Sequence, residues 1–192
     1  MLLPITAYGH PVLKKIAMDI DKDYPNLEVI ISDMFETMYF SKGVGLAAPQ
    51  VDLSIRLLTI DATPYANEFP EAKDFKKVMI NAHIIEEEGI EWNFNEGCLS
   101  VPDIREDVLR KPKIRIQYVD ENFTPFDEVY EGVRARIIQH EYDHLEGILF
   151  VERLTSLKKM LLKRKLTDIS KGNIKVDYRM KFPFIYRKKN KF

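Results

Sequence analysis

Residues 133–147 read VRARIIQHEYDHLEG, and the rest of the fold is built around how this stretch is read. As a helix it places His140 and His144 on one face, about one turn apart, so both imidazoles can reach a single ion. Glu141 follows the first histidine and can point at whatever occupies the ion's open position, which is the layout of an activated water with a base beside it. Val133, Ile137 and Ile138 put aliphatic side chains on or beside that face, so the helix packs its histidines toward a core. Asp143 shares the turn and adds to the polar surroundings, and Gly147 stands where a helix C-cap is expected. The pattern is short and also suits two half-buried histidines satisfied by hydrogen bonds. Their concentration in one turn, two of four histidines in the whole chain, favours the metal reading.

Outward from this helix the elements are mixed. Leu27, Ile30, Ile31, Met34, Phe35 and Met38 recur at helical spacing between Pro25 and Phe40, with Pro25 in the first turn. Alternating or β-branched runs predict strands at 55–61, 77–86, 114–120 and 126–130. The central helix is expected over 132–145, and a last helix starts near Thr155 or Ser156, both good N-caps, carrying Leu157, Met160 and Leu161. Strands surrounding a central helix suit an α+β fold, with antiparallel or mixed strands and a C-terminal helix. The expected division is a catalytic portion over 1–165, including that helix, and a basic tail over 166–192.

Two further segments carry chemistry. The chain's only cysteine, Cys98, sits in EGCLSVP (96–102) beside Gly97, which permits close backbone approach. One cysteine cannot form an internal disulfide, so it is a ligand, a nucleophile or a small buried hydrophobe. As a thiolate beside two imidazoles it makes three protein ligands and leaves one position open, which suits a catalytic ion. The segment GVGLAAPQ (43–50) is neither a phosphate-binding loop nor a dinucleotide fingerprint. It fits a tight turn on the core, or the rim of a cleft in which Gln50 donates to a developing oxyanion.

Together these three segments resemble the bacterial peptide deformylases, whose GxGLAAPQ, EGCLS and HExxDHLxG motifs occur in this order. The resemblance covers roughly residues 4–165. It implies an α+β fold and hydrolysis of the formyl group from the N-terminal formyl-methionine of new proteins, with release of formate. Carried over by position, it makes Cys98, His140 and His144 the metal ligands and Glu141 the general base and acid. Gln50 and the Leu99 N–H become the oxyanion donors, and backbone groups near Gly45 hold the substrate. Val44, Val133 and Ile137 are candidates for the methionine pocket, Arg105 for a contact to the substrate backbone, and Arg110 for a support near the site. The family commonly uses Fe2+, and the donor set also suits Zn2+, Ni2+ or Co2+. Asp103 stands where many relatives have glycine. The 45 residues between Gln50 and Glu96 leave room for an inserted loop near 62–75.

The 192 residues are enough for one domain with a real core, and 45% hydrophobic with 31% charged residues is a globular balance. No run reaches the length of a membrane span, and one free cysteine without an export signal points to the cytoplasm. Net charge is −1, yet 155–192 holds 13 Lys and Arg against 2 Asp, a balance of +11. This is a solvated face and tail or a contact to RNA, and ribosome contact fits a partner that presents nascent formyl-Met peptides. Two rivals remain. A metallopeptidase needs a downstream third ligand, and no histidine follows His144, so Glu146 or Glu152 would have to serve. A silent metal- or RNA-binding module would have no use for Glu141 and Gln50 beside an open position.

Overall fold

A computed structural model describes residues 1–183. The chain runs β1 (Ile5–Thr6), α1 (Leu27–Phe40), β2 (Gly45–Ala47), β3 (Leu57–Asp61), β4 (Lys76–Glu88), β5 (Trp92–Cys98), β6 (Val101–Arg110), β7 (Lys113–Val119), β8 (Pro125–Glu131), α2 (Gly132–Leu145), α3 (Ser156–Ser170) and β9 (Met180–Lys181). Five strands form one antiparallel sheet in the order β2-β3-β4-β7-β8. β5 and β6 make a separate hairpin, and β1 pairs in parallel with β9. The α+β reading holds: the sheet and the hairpin surround α2, and a C-terminal helix follows. Among the described residues no helix is long and apolar enough to cross a membrane.

α2 is buried along most of its circumference, including Arg136, Gln139, Glu141, Asp143 and His144. Its apolar positions Val133, Ala135, Ile137, Ile138 and Leu145 join Leu58, Ile60, Met79 and Ile116 of the sheet in one cluster. A second cluster packs α1 through Ile31, Met34 and Met38 onto Leu46, Leu57 and Ile80. A third holds the hairpin, through Val101, Ile104 and Val108, against Phe150, Leu166 and Ile169. Each fully buried aliphatic side chain contributes about 1.5–3 kcal/mol before the entropy of ordering is counted. The helix therefore sits as a fixed post, and polar groups on it are held where the packing puts them.

Several expectations need correction. α1 starts at Leu27, because Asn26 adopts a left-handed conformation (φ 59°), which leaves Pro25 outside the first turn. The hairpin strands β5 and β6 depart from apolar alternation because they bury charges: Glu96 and Arg110 occupy inward positions that hydrophobic residues would otherwise fill. The loop expected near 62–75 is found between β3 and β4, with two short 3-10 turns at Thr63–Tyr65 and Pro70–Ala72, and its Tyr65, Phe69 and Phe75 pack onto the first cluster. Residue 165 lies inside α3, where Leu166 and Ile169 are buried. The chain then returns to pair β9 with β1. The last part of the basic stretch, 184–192, lies outside the described residues.

α2 ends in a Schellman motif: Ile148 N–H donates to Asp143 O (2.8 Å) and Gly147 N–H to His144 O (3.4 Å). Gly147 is left-handed (φ 71°), and a Cβ there would lie 2.8 Å from the Lys14 carbonyl carbon and oxygen. Gly147→Ala combines backbone strain of about 1 kcal/mol with a backbone clash of about 1–3 kcal/mol. Urea unfolding of the variant is expected to show a loss of about 2–4 kcal/mol, and a loss under about 1 kcal/mol would contradict this account of the cap.

Candidate active site

Three elements converge on one cavity. Cys98 ends β5 at the tip of the hairpin, with Leu99 and Ser100 forming the two-residue turn to Val101. His140 and His144 project from one face of α2 with ring centroids 5.4 Å apart. Donor atoms of Cys98, His140 and His144 all lie within 4.8 Å of one another, and Cys98 Sγ is 3.4 Å from His144 Nε2. The fit of this trio to a metal ion can be tested on the surrounding bonds. His140 Nδ1 lies 2.8 Å from Glu96 Oε2, so that nitrogen is taken and Nε2 is left for the cluster. Burial, with the charges of His140 and Arg110 behind it, holds His144 well below the usual histidine range, in the neutral form that ligates ions. Burial also disfavours a charged His140, but Cys98 and Glu96 outweigh it and raise its pKa well above the ordinary value. One thiol with two imidazoles is a donor set that binds Zn2+, Fe2+, Co2+ or Ni2+.

Behind the trio lies a buried ionic network. The Glu96 carboxylate accepts from Arg110 Nε (2.8 Å), Arg110 Nη2 (2.9 Å) and Arg136 Nη1 (3.0 Å). Arg110 Nη1 donates to Asp143 Oδ2 (2.7 Å), which Arg153 also clasps from the surface. Arg136 donates further to the carbonyls of Val108 and Trp92 and lies over the Trp92 ring. Burial works against the Glu96 charge, yet Arg110 and His140 hold its carboxyl well below the usual carboxylate range. The network ties the hairpin to α2 and fixes which nitrogen of His140 faces the cavity.

Glu141 reaches the cavity from the same helix, and its Oε2 is buried with no hydrogen-bond partner among the described residues. Burial pushes its pKa up to about 7, with His140 pulling the other way. Gly45 explains how the carboxylate fits: a Cβ there would lie 2.7 Å from Glu141 Cγ and Cδ and closer still to one carboxylate oxygen. Gln50 is anchored through its Oε1, which accepts from Ala47 N–H (2.9 Å). Its Nε2 donates toward Ser100 Oγ (3.3 Å) and Cys98 Sγ (3.5 Å) inside the cavity. A short stretch thus combines a strand edge, a turn and a donor.

The cavity measures about 500 Å³, and its wall includes Val44, Gly45, Gln50, Leu99, Arg105 and Ile137. Arg105 lies at the rim, held by Asn95 through its side chain and carbonyl (2.8 Å each). Val133 does not line the cavity; it is fully buried in the first cluster, one turn before Ile137 on α2. Tyr65 and Phe94 take part in the apolar wall instead. Arg110 is buried behind the trio, bonded to Glu96 and Asp143, which agrees with a support near the site; the sequence reading assigned no role to Glu96, Arg136, Arg153, Ser100 or Tyr178. Glu96 lay inside a quoted motif and could have been suspected; the others carry no local signal.

A sequence model described as polypeptide deformylase matches residues 2–160. A peptide deformylase of Christiangramia forsetii is 59% identical over 190 residues, covering 95% of this chain and 97% of that protein. One from Flavobacterium johnsoniae is 54% identical over 189 residues, at 95% and 96% coverage. The crystal structure of peptide deformylase from Thermus thermophilus superposes with a TM-score of 0.79 at 39% identity, covering 90% of this chain and 99% of that one. That from Legionella pneumophila gives 0.77 at 38% identity, with 90% and 98% covered.

A methyl group at residue 45 would push the Glu141 carboxylate out of place, and displacement by about 1 Å of a carboxylate that transfers a proton would cost on the order of a hundredfold in rate. Gly45→Ala is therefore expected to cut turnover about a hundredfold while bound metal per chain stays at the wild-type level. Unchanged turnover would mean that the carboxylate tolerates another position.

Proposed function

The chain belongs to the polypeptide deformylase family, and from that premise we propose how its own side chains carry the family's reaction. That reaction hydrolyses the N-formyl group from the formyl-methionine of newly made chains and releases formate. Cys98 Sγ and one ring nitrogen each of His140 and His144 hold one divalent ion, and the observation that carries this assignment is the convergence of the three donors within 4.8 Å. When bound, such an ion supplies Lewis acidity toward the formyl carbonyl and acidifies water. In the cell the ion is Fe2+, in keeping with the family's common use, while Zn2+, Ni2+ and Co2+ suit the same donors.

The protein's part is proton transfer, charge stabilisation and fit. Glu141 accepts the proton of the attacking water at its carboxylate and returns it to the nitrogen that leaves as the new N-terminus. Gln50 Nε2 and the Leu99 N–H donate to the tetrahedral oxyanion, each such donor contributing about 3 kcal/mol. The methionine side chain lies along Val44 and Ile137, and Val133 acts only by backing that wall. Backbone groups at Gly45 and the guanidinium of Arg105 hold the peptide. The formyl carbon carries only hydrogen, so a site this close to Gly45 rejects an acetyl methyl group by clash.

Formate release from a formyl-Met tripeptide by protein kept free of oxygen is the direct test. Turnover is expected with the formyl peptide and absent with its acetyl counterpart. Glu141→Ala should fall by at least about a hundredfold with metal retained. Iron-loaded protein should lose activity in air through oxidation at the ion or Cys98. Fully metallated protein that releases no formate would reject the assignment.

We also propose that the enzyme works in the cytoplasm beside the ribosome. Lys159, Lys163, Arg164 and Lys165 are exposed on α3, and clustered cations of this kind bind phosphate backbones without sequence preference. Removing the whole segment would expose the third cluster, which α3 covers through Leu166 and Ile169. The informative variant is Lys159→Glu, Lys163→Glu and Arg164→Glu together. It should lose co-sedimentation with ribosomes at low salt while keeping wild-type turnover on a tripeptide; unaltered co-sedimentation would sink the proposal.

A further inference from the structure

The family match ends at residue 160, yet the chain beyond it returns to the active site. After α3 the backbone turns at Gly172, which is left-handed (φ 74°) and packs under Phe182. It then crosses the cavity mouth, where Lys175, Val176, Asp177 and Tyr178 form part of the wall. The segment is tethered beyond that point. Ile5 N–H donates to Arg179 O and Ala7 N–H to Lys181 O (2.8 Å each), and Lys181 forms an ion pair with Asp52. Ile174, Met180 and Phe182 pack on the third cluster.

This strap bonds to the turn that carries the chemistry. Tyr178 O–H donates to Leu99 O at 2.8 Å. Residue 99 follows the proposed ligand Cys98 and supplies the proposed oxyanion donor. Two other bonds hold the same turn: Tyr8 N–H donates to Ser100 O (2.8 Å), and Gln50 Nε2 to Ser100 Oγ (3.3 Å). Both of these grip Ser100. Tyr178 is the bond made to Leu99 itself, and it fixes the ψ rotation of that residue. A two-residue turn has few atoms over which to spread a displacement, so loss of this bond shifts the Leu99 N–H relative to the cavity.

We propose that Tyr178 is a positioning residue for the deformylation reaction, and that the strap 174–181 is a built part of the active site. It acts through the Leu99 turn, holding the N–H donor where the oxyanion develops. This inference rests on the assignment of Leu99 as an oxyanion donor. A donor present in the transition state and misplaced there lowers kcat and leaves ground-state binding largely alone.

The test uses the full chain and a formyl-Met tripeptide, with wild type run in the same assay. Tyr178→Phe keeps the ring and its packing and removes only the hydroxyl. It is expected to lower kcat about tenfold with KM within about twofold, and with bound metal per chain and Tm at wild-type values. Phe182→Leu, which thins the packing beyond the strap without touching Leu99, should lower Tm and leave kcat at room temperature unchanged. A Tyr178→Phe enzyme with wild-type kcat overturns the proposal, as does one whose loss appears only in Tm or in metal content. Because wild-type turnover is read alongside, failure of the deformylase assignment would show as no turnover in any sample.

Discussion

A single buried carboxylate, Glu96, holds the two halves of the active site together. It lies in the hairpin, and its partners are Arg110 across the hairpin and Arg136 and His140 on α2. Burying charge is expensive, and removing one partner from such a set leaves the others uncompensated at a cost of about 3–5 kcal/mol. The arrangement can close only in the register seen here, so the same bonds that neutralise the guanidinium groups also aim His140. Cys98 lies two residues along β5 from Glu96 and arrives opposite the histidines as a consequence. Stability alone would be served as well by apolar residues; what the charges add is a defined orientation for the donor trio.

Around this frame the site is shaped by close approach. Gly45 admits the Glu141 carboxylate where any side chain would collide with it, and the buried oxygen of that carboxylate is left free to handle a proton. Gln50 is tied back to Ala47 through its carbonyl oxygen, which turns its amide nitrogen toward the turn at Ser100. The groups proposed to react therefore come from a strand edge, a helix and a turn, each held by bonds that do not involve substrate. Such a site needs little rearrangement at the moment of reaction, which is where enzymes of this kind gain most of their rate.

The C-terminal segment joins the two ends of the chain. β9 pairs with β1, the residues after β1 grip Ser100, and Tyr178 grips Leu99. The segment's basic character is spread over an exposed helix face and a strap whose other side is structural. Charge count by itself describes the first and is silent about the second.

Legibility followed the range of the interactions. The helix over 132–145 was readable because its periodicity, cap and histidine spacing are local, and alternation placed strands at 77–86 and 114–120, close to the observed 76–88 and 113–119. The Cys98, His140 and His144 cluster was readable because the histidines share one turn and the chain has only one cysteine to add. The hairpin strands were missed because Glu96 and Arg110 violate alternation, and the reason lies 40 residues away at Arg136. Val133 looked like a cavity residue from its helical face, yet packing against the sheet takes it out of reach. The residue types able to hold an ion and move a proton are written in the chain and need no fold to be recognised. Folding alone settles which nitrogen of His140 is free, why residue 45 must lack a side chain, and that a tyrosine near the far end of the chain braces the turn at Leu99. These depend on pairings between distant segments, and no local pattern encodes a partner that only tertiary packing brings near.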